Sequence, residues 1–269
     1  MLSPRQAFED NIRPAELLLR VYRLLENDTV HTSGEMLKSL RTTIGASADE
    51  DLMMIYNEIF LGLVREKADI HSSNFKKSSL CNLLRQSIVT ACAALETFLQ
   101  ALMQINLPVV IQARGRDFFP QDKEVQGYFV DLTFSLSETL RLNGDGDAAL
   151  FIANKILKHI SSKYLNSTKG IFTTAALLSV ETPLDQLATR LQREKKDMLK
   201  TIENTTQRRN DIVHRADRSQ SDPSGPQQDI SYAQARQAVD TIKHVCLALD
   251  ELVDEKIKDL KTQIDTIQV

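Results

Sequence analysis

Apolar residues recur at three- and four-residue intervals over two long stretches, and that spacing constrains the fold more than any other feature of the chain. Leu80, Leu84, Ile88, Ala91, Leu95, Phe98, Leu102 and Ile105 fall on one side of a helix of about 3.6 residues per turn, expected to end before Pro108. Ala235, Ala238, Ile242, Val245, Leu249 and Leu252, followed by Val253, Ile257, Leu260, Ile264 and Ile267, continue the same rule over more than 30 residues. A stripe that long exceeds what one small bundle covers, so its far end is expected to meet a partner chain or the N-terminal residues. No persuasive alternation of apolar and polar residues marks a strand, and the nine glycines include no phosphate-cradling run. The fold class predicted is all-α, an antiparallel helical bundle.

Between and before these helices the pattern is also helical. Ser3-Pro4 is a helix start, and Pro14 is expected to open a second helix through Glu26 with Leu17, Leu18, Val21, Leu24 and Leu25 as its stripe. A polar stretch follows, then a short helix to about Thr42 and another from about Asp49 to about Ile70. Residues 1–70 therefore read as an N-terminal helical extension, and HSSNFKKSS at 71–79 as the boundary before a main domain over 75–269. Helices are expected over 122–142, 147–164 and 169–180. NGDGD at 143–147 lacks a calcium loop's acidic twelfth position, occupied by Asn154, so Gly144 is read as a helix C-cap followed by an Asp N-cap. From Pro183 a long helix heads towards residue 207, with a break or kink expected at Asn204-Thr205-Thr206, and Ser219 to Asp229 form a polar loop.

Composition bounds the function. With 42% hydrophobic and 26% charged residues and no run of 18 apolar residues, a soluble globular protein with no membrane segment is expected. The first residues lack a basic-then-apolar export pattern, and Cys81, Cys92 and Cys246 all sit in helical apolar patterns, so reduced core thiols and a cytoplasmic location are expected. The five histidines form no metal-ligand spacing, and no nucleophile elbow is present; neither a metal nor a cofactor is expected. A net charge of -3 excludes a uniformly basic nucleic-acid binder. Residues 190–218, however, hold nine Lys or Arg against five acids.

That local surplus surrounds QRRNDIVHRADR, residues 207–218, the stretch in which chemistry concentrates. Asn210 and His214, four apart, lie about 40° apart on a helix, with Arg209 about 140° from His214 and long enough to reach back. Ile212 and Val213 are expected to anchor the turn. An imidazole titrates near neutrality and a guanidinium holds phosphate oxygens through paired hydrogen bonds, so these groups suit chemistry at a phosphodiester. Arg208, Arg215 and Arg218 are candidate phosphate contacts. Glu96, within the first apolar stripe, either meets solvent at the helix boundary or orients Arg209 or His214. Phe118 and Phe119, beside Arg114 and Arg116, either anchor a loop or stack on unpaired bases.

The string Arg209-Asn210-x-x-x-His214 resembles the R-x(4 to 6)-H motif of the HEPN superfamily, and RRNDIVHRAD is most similar to its RiboL-PSP-HEPN ribonuclease-like branch. IVTACAALETFLQALM, residues 88–103, resembles the helix that opens such domains. The resemblance covers residues 75–269 and implies a homodimer with two motifs facing each other, acting on RNA without a metal. Arg209, Asn210 and His214 would then be catalytic, in a toxin, antiphage or stress-response role under a regulatory or antitoxin protein. A non-catalytic dimerisation module binding a nucleotide or partner is the alternative. Arg215-Ala216 follow His214, so the H-x-Tyr extension of some HEPN toxins is absent.

Overall fold

The structure, a computed structural model, describes residues 2–26, 30–31, 34–47, 52–56, 61–65, 72–119, 122–127, 129–139, 147–160 and 165–267. Its frame is three long helices, α1 (Pro4–Leu25), α3 (Lys77–Arg114) and α9 (Tyr232–Ile267), which share one hydrophobic core. Phe8 of α1 meets Phe98 of α3 at 5.2 Å between ring centroids, and Lys243 of α9 bonds Glu16 of α1 at 2.5 Å. Residues 4–25, assigned from sequence to the N-terminal extension, thus pack into the bundle itself. The all-α class holds, with small β elements appended.

Both prolines expected to bound helices lie inside them. Ser3 Oγ caps α1 by accepting from Gln6 N, and α1 continues through Pro14. Pro14 is exposed, so the Asp10 carbonyl that loses its helical donor lies where water replaces it, while Phe8, Ile12, Ala15, Leu19 and Tyr22 bury the other face. α3 passes Pro108 in the same way: Gln104, whose carbonyl is left without a donor, is exposed, and Leu107, Val110 and Ile111 remain buried.

Over its described residues, 52–56 and 61–65, the helix expected from about Asp49 to about Ile70 is replaced by strands, and the rest of that span lies outside the described residues. After a short helix, α2 (Glu35–Thr43), β2 (Leu52–Tyr56) pairs antiparallel with β1 (Val30–His31) and with β3 (Leu61–Arg65). Leu52 to Ile55 are four consecutive buried residues, the signature of a strand covered on both faces, and a short apolar run does not distinguish strand from helix by period.

The helix expected over 122–142 is also interrupted. α4 (Lys123–Gly127), capped by Asp122, is followed by irregular chain, and Ser135 starts a new turn at 136–139 through a reciprocal bond pair with Glu138. The Gly144 cap lies outside the described residues, but Asp147 does cap α5 (Ala148–Ile160), Leu150 N donating to Oδ1 at 2.9 Å. α6 (Thr168–Leu177) starts from Ser167. A Cβ on Gly170 would clash with the Leu165 backbone, so only glycine allows the 165–167 turn to close there.

The long helix expected from Pro183 is two helices, α7 (Pro183–Arg190) and α8 (Lys195–Arg215), and the break falls at 191–194 with Gln192 at φ +51°. No break occurs at 204–206. Thr205 Oγ1 donates to the Thr201 carbonyl and Thr206 Oγ1 to the Asn166 carbonyl, both at 2.7 Å, so these hydroxyls find partners without disturbing the helix. The polar loop expected after α8 is a hairpin, β4 (Arg218–Ser219) and β5 (Asp222–Gln227). Ser231 and Gln234 then form a capping box for α9. Beyond Leu260, Ile264 alone among the described residues is half-buried, and all three cysteines are free and buried.

Candidate functional site

Arg209, Asn210 and His214 occupy the last two turns of α8, a helix held by Met198, Ile202 and Thr205 on its buried face. Consecutive helical residues are about 100° apart, so Arg209 follows Ile202 towards α3 while His214 points to solvent. Arg209 Nη1 donates to Asn210 Oδ1 at 3.0 Å, which couples guanidinium and carboxamide; its Nε is buried without a partner. His214 is exposed and makes no side-chain hydrogen bond among the described residues. Val213 beside it remains 48% exposed rather than anchoring the turn as expected, while Ile212 packs on the core.

Arg208, one residue earlier, turns the other way and meets Asp217. That carboxylate is fully buried between two guanidiniums: Arg85 Nε donates to Oδ2 at 2.6 Å, and Arg208 Nη2 donates to the same oxygen at 2.7 Å with its Nε 2.7 Å from Oδ1. Arg85 also donates to the Gln228 carbonyl at 2.9 Å, and Arg208 to those of Gln228 and Asp229. Ala216 and Asp217 both have positive φ, 49° and 63°, and both backbone N–H groups turn back on the Asp211 carbonyl, ending α8 abruptly. Gln228 N donates to Asp217 O and locks the hairpin against the same turn. Sequence reasoning missed this clamp. Its one visible signal was Arg85, a charge within an apolar stripe.

The three arginines read as phosphate contacts therefore all have partners inside the chain. Arg208 holds Asp217, Arg215 pairs with Asp211 one turn back, and Arg218 Nε donates to the Gly225 carbonyl at 2.8 Å, closing the hairpin. Two of them rigidify the end of the motif helix, and the third shapes the strand pair behind it.

Glu96 is half-buried on α3, and among the described residues no hydrogen bond joins it to Arg209 or His214. All the same, it shares a neighbourhood with Arg209. Burial pushes the Cys92 thiol up to about 12, the Arg209 charge pulls it down and the Glu96 charge pushes it further up. Phe118 and Phe119 stand edge to face at 6.0 Å and pack against the core, Phe119 also against Phe129 at 5.1 Å, as loop anchors do. The Arg116 side chain lies outside the described residues. Among those residues no group of three or more His, Cys, Asp or Glu side chains is placed to hold a metal ion.

A helical bundle carrying Arg209-Asn210 and, one turn later, an open His214 defines an all-α protein of R-x4-H type. The RiboL-PSP-HEPN family model matches residues 56–255, most of the chain, and the protein belongs to that family. The match begins in β2, ahead of the boundary at 71–79. The HEPN superfamily includes ribonucleases. Neither the curated proteins nor the solved structures contain a match to this chain.

Proposed function

We propose that the protein is a metal-independent endoribonuclease whose active site forms where the motifs of two protomers meet. The observation that carries the reading is His214, exposed and without a side-chain partner among the described residues, one turn beyond the coupled Arg209-Asn210 pair, on a helix end clamped by Asp217. Half-exposed Val213 beside His214 gives the face an apolar contact suited to a second copy.

RNA cleavage needs a base for the 2'-hydroxyl proton, charge at the phosphorus and an acid for the departing 5'-oxygen. One motif supplies a single imidazole; a facing pair supplies two. His214 of one protomer takes the proton as the 2'-oxygen attacks phosphorus, and His214 of the partner subunit gives one to O5' as the P–O5' bond breaks. Arg209 neutralises the charge growing on the nonbridging oxygens, and Asn210 fixes the guanidinium plane. The products are a 2',3'-cyclic phosphate and a 5'-hydroxyl. The setting we propose is cytoplasmic, in a toxin, antiphage or stress response controlled by a partner protein.

The test is RNA cleavage in EDTA by wild type and His214→Ala at matched purity and dimer content, with end-group analysis. Cleavage by wild type alone, leaving cyclic phosphate ends and falling by roughly 100-fold or more in the variant, is expected. Equal cleavage by both proteins removes His214 from the mechanism.

A further inference from the structure

On the side of α8 away from Arg209, a groove of about 550 Å³ opens between α8, α3 and the start of α9. Its apolar lining comes from Ile88, Ile230 and Ala238. Asn204 of α8 and Gln237 of α9 both line it, and neither carboxamide has a hydrogen-bond partner among the described residues. Lys200 also lines it and has no ion-pair partner among those residues; Asp197 lies a turn earlier on α8, and Arg208, committed to Asp217, lines the groove further along.

We infer that this groove is a ribonucleotide subsite, holding an unpaired base of the RNA strand away from the scissile phosphate. The reading rests on the ribonuclease function proposed above. A base has apolar faces and a polar edge, which aliphatic side chains and two open carboxamides match together; Lys200 supplies the charge for the adjoining phosphate, and Asp197 can accept from an exocyclic amino group. The volume lies within the usual range for small-ligand sites, about 300–1,000 Å³. Lys200, Gln207 and His214 repeat every seven residues and so share one face of α8 within about 40°. The rise from Asn204 to His214 is about 15 Å, roughly four nucleotides at stacked spacing. One strand following that face reaches both places.

The test uses the full chain carrying His214→Ala, so that RNA survives, and measures binding of a labelled single-stranded RNA octamer by fluorescence anisotropy. Adding Asn204→Ala or Gln237→Ala is expected to weaken binding about two- to tenfold. Lys200→Gln is expected to lower the slope of log affinity against log salt by about 0.7. All three side chains are exposed, so circular dichroism should show unchanged folding. Affinity and slope equal to the parent's in all three variants overturn the inference. Adenosine and guanosine monophosphates form a second arm: binding them as tightly as the octamer, through the same carboxamides, assigns the groove to a soluble nucleotide and overturns the strand reading. The two proposals fail separately. If wild type cleaves but the groove variants bind normally, the groove reading falls alone; if the octamer depends on Asn204 and Gln237 and wild type never cleaves, the ribonuclease reading falls alone.

Discussion

Removing the carboxylate of Asp217 should destabilise the protein more than any other single change near the motif. Asp217 is 0% exposed and Arg85 is 8% exposed at the side chain, so the pair at 2.6 Å lies beyond effective screening by solvent. Arg208, 21% exposed, shares the same carboxylate. Asp217→Ala leaves one guanidinium buried and a second half-buried with no counter-charge, a loss of about 3–5 kcal/mol. For a chain of this length that is a fall in Tm of roughly 6–20 °C. Asp217→Asn keeps an acceptor for Arg85 and should lose less. Urea unfolding of the two variants and of Arg85→Met/Asp217→Leu is the assay. The double variant removes the buried Arg85 with the carboxylate but leaves the Arg208 guanidinium, 21% exposed, without its partner, so it should recover only the Arg85 part of the loss, because replacing a buried ion pair with apolar groups is often close to neutral. A loss under about 1 kcal/mol for Asp217→Ala would show that water reaches the carboxylate and that the clamp does not order the end of α8.

Gly170→Ala puts a methyl against the Leu165 backbone, so the 165–167 turn must shift; a loss of about 1–3 kcal/mol is expected in the same unfolding assay, with weaker anchoring of Thr206. Asp250, 4% exposed on α9, has its carboxyl pushed up to about 6, first by burial and then by Asp254, while Arg5 pulls it down and Glu251 and Glu9 push it up. A raised folded value means this group's contribution is full below its unfolded value near 4 and is lost as pH rises through about 6; Asp250→Asn should flatten that slope, on the order of 3 kcal/mol, in stability measured from pH 4 to 7. Arg209→Met, removing a guanidinium whose Nε is buried without a partner, should change stability by no more than about 1 kcal/mol while abolishing cleavage; a large loss of stability would make Arg209 a structural residue.

The sequence disclosed the elements whose periodicity is also their burial. α3 and α9 follow their apolar stripes because those residues, through Leu102 in α3 and Leu260 in α9, form the core, and the motif lies on a helix as its spacing demands. Where the outcome depended on which side faced water, sequence could not decide: Pro14 is harmless because it is exposed, and Leu52 to Ile55 make a strand because both faces are covered. Thr205 and Thr206 looked like a helix break because one of their partners, the Asn166 carbonyl, lies 40 residues away. Arg85 and Asp217 are 132 residues apart, and nothing local announces that they meet.

The same distinction separates the arginines of the motif. Arg208 and Arg209 are adjacent in sequence, but a helix turns them about 100° apart, so one faces the Asp217 turn and the other the α3 side. Runs of basic residues invite a reading in which every charge awaits a phosphate. Here, though, a partner inside the fold claims three of the four nearest arginines, Arg208, Arg215 and Arg218. Among the described residues Arg209 bonds only a neutral amide, through a contact that orients its guanidinium without neutralising it. A guanidinium that keeps its charge while losing its freedom loses little entropy when an anion arrives. Clamping the helix end through Arg208 and leaving Arg209 charged are therefore complementary parts of one arrangement, and the local basic surplus overstates the charge left over for an anion from outside the chain.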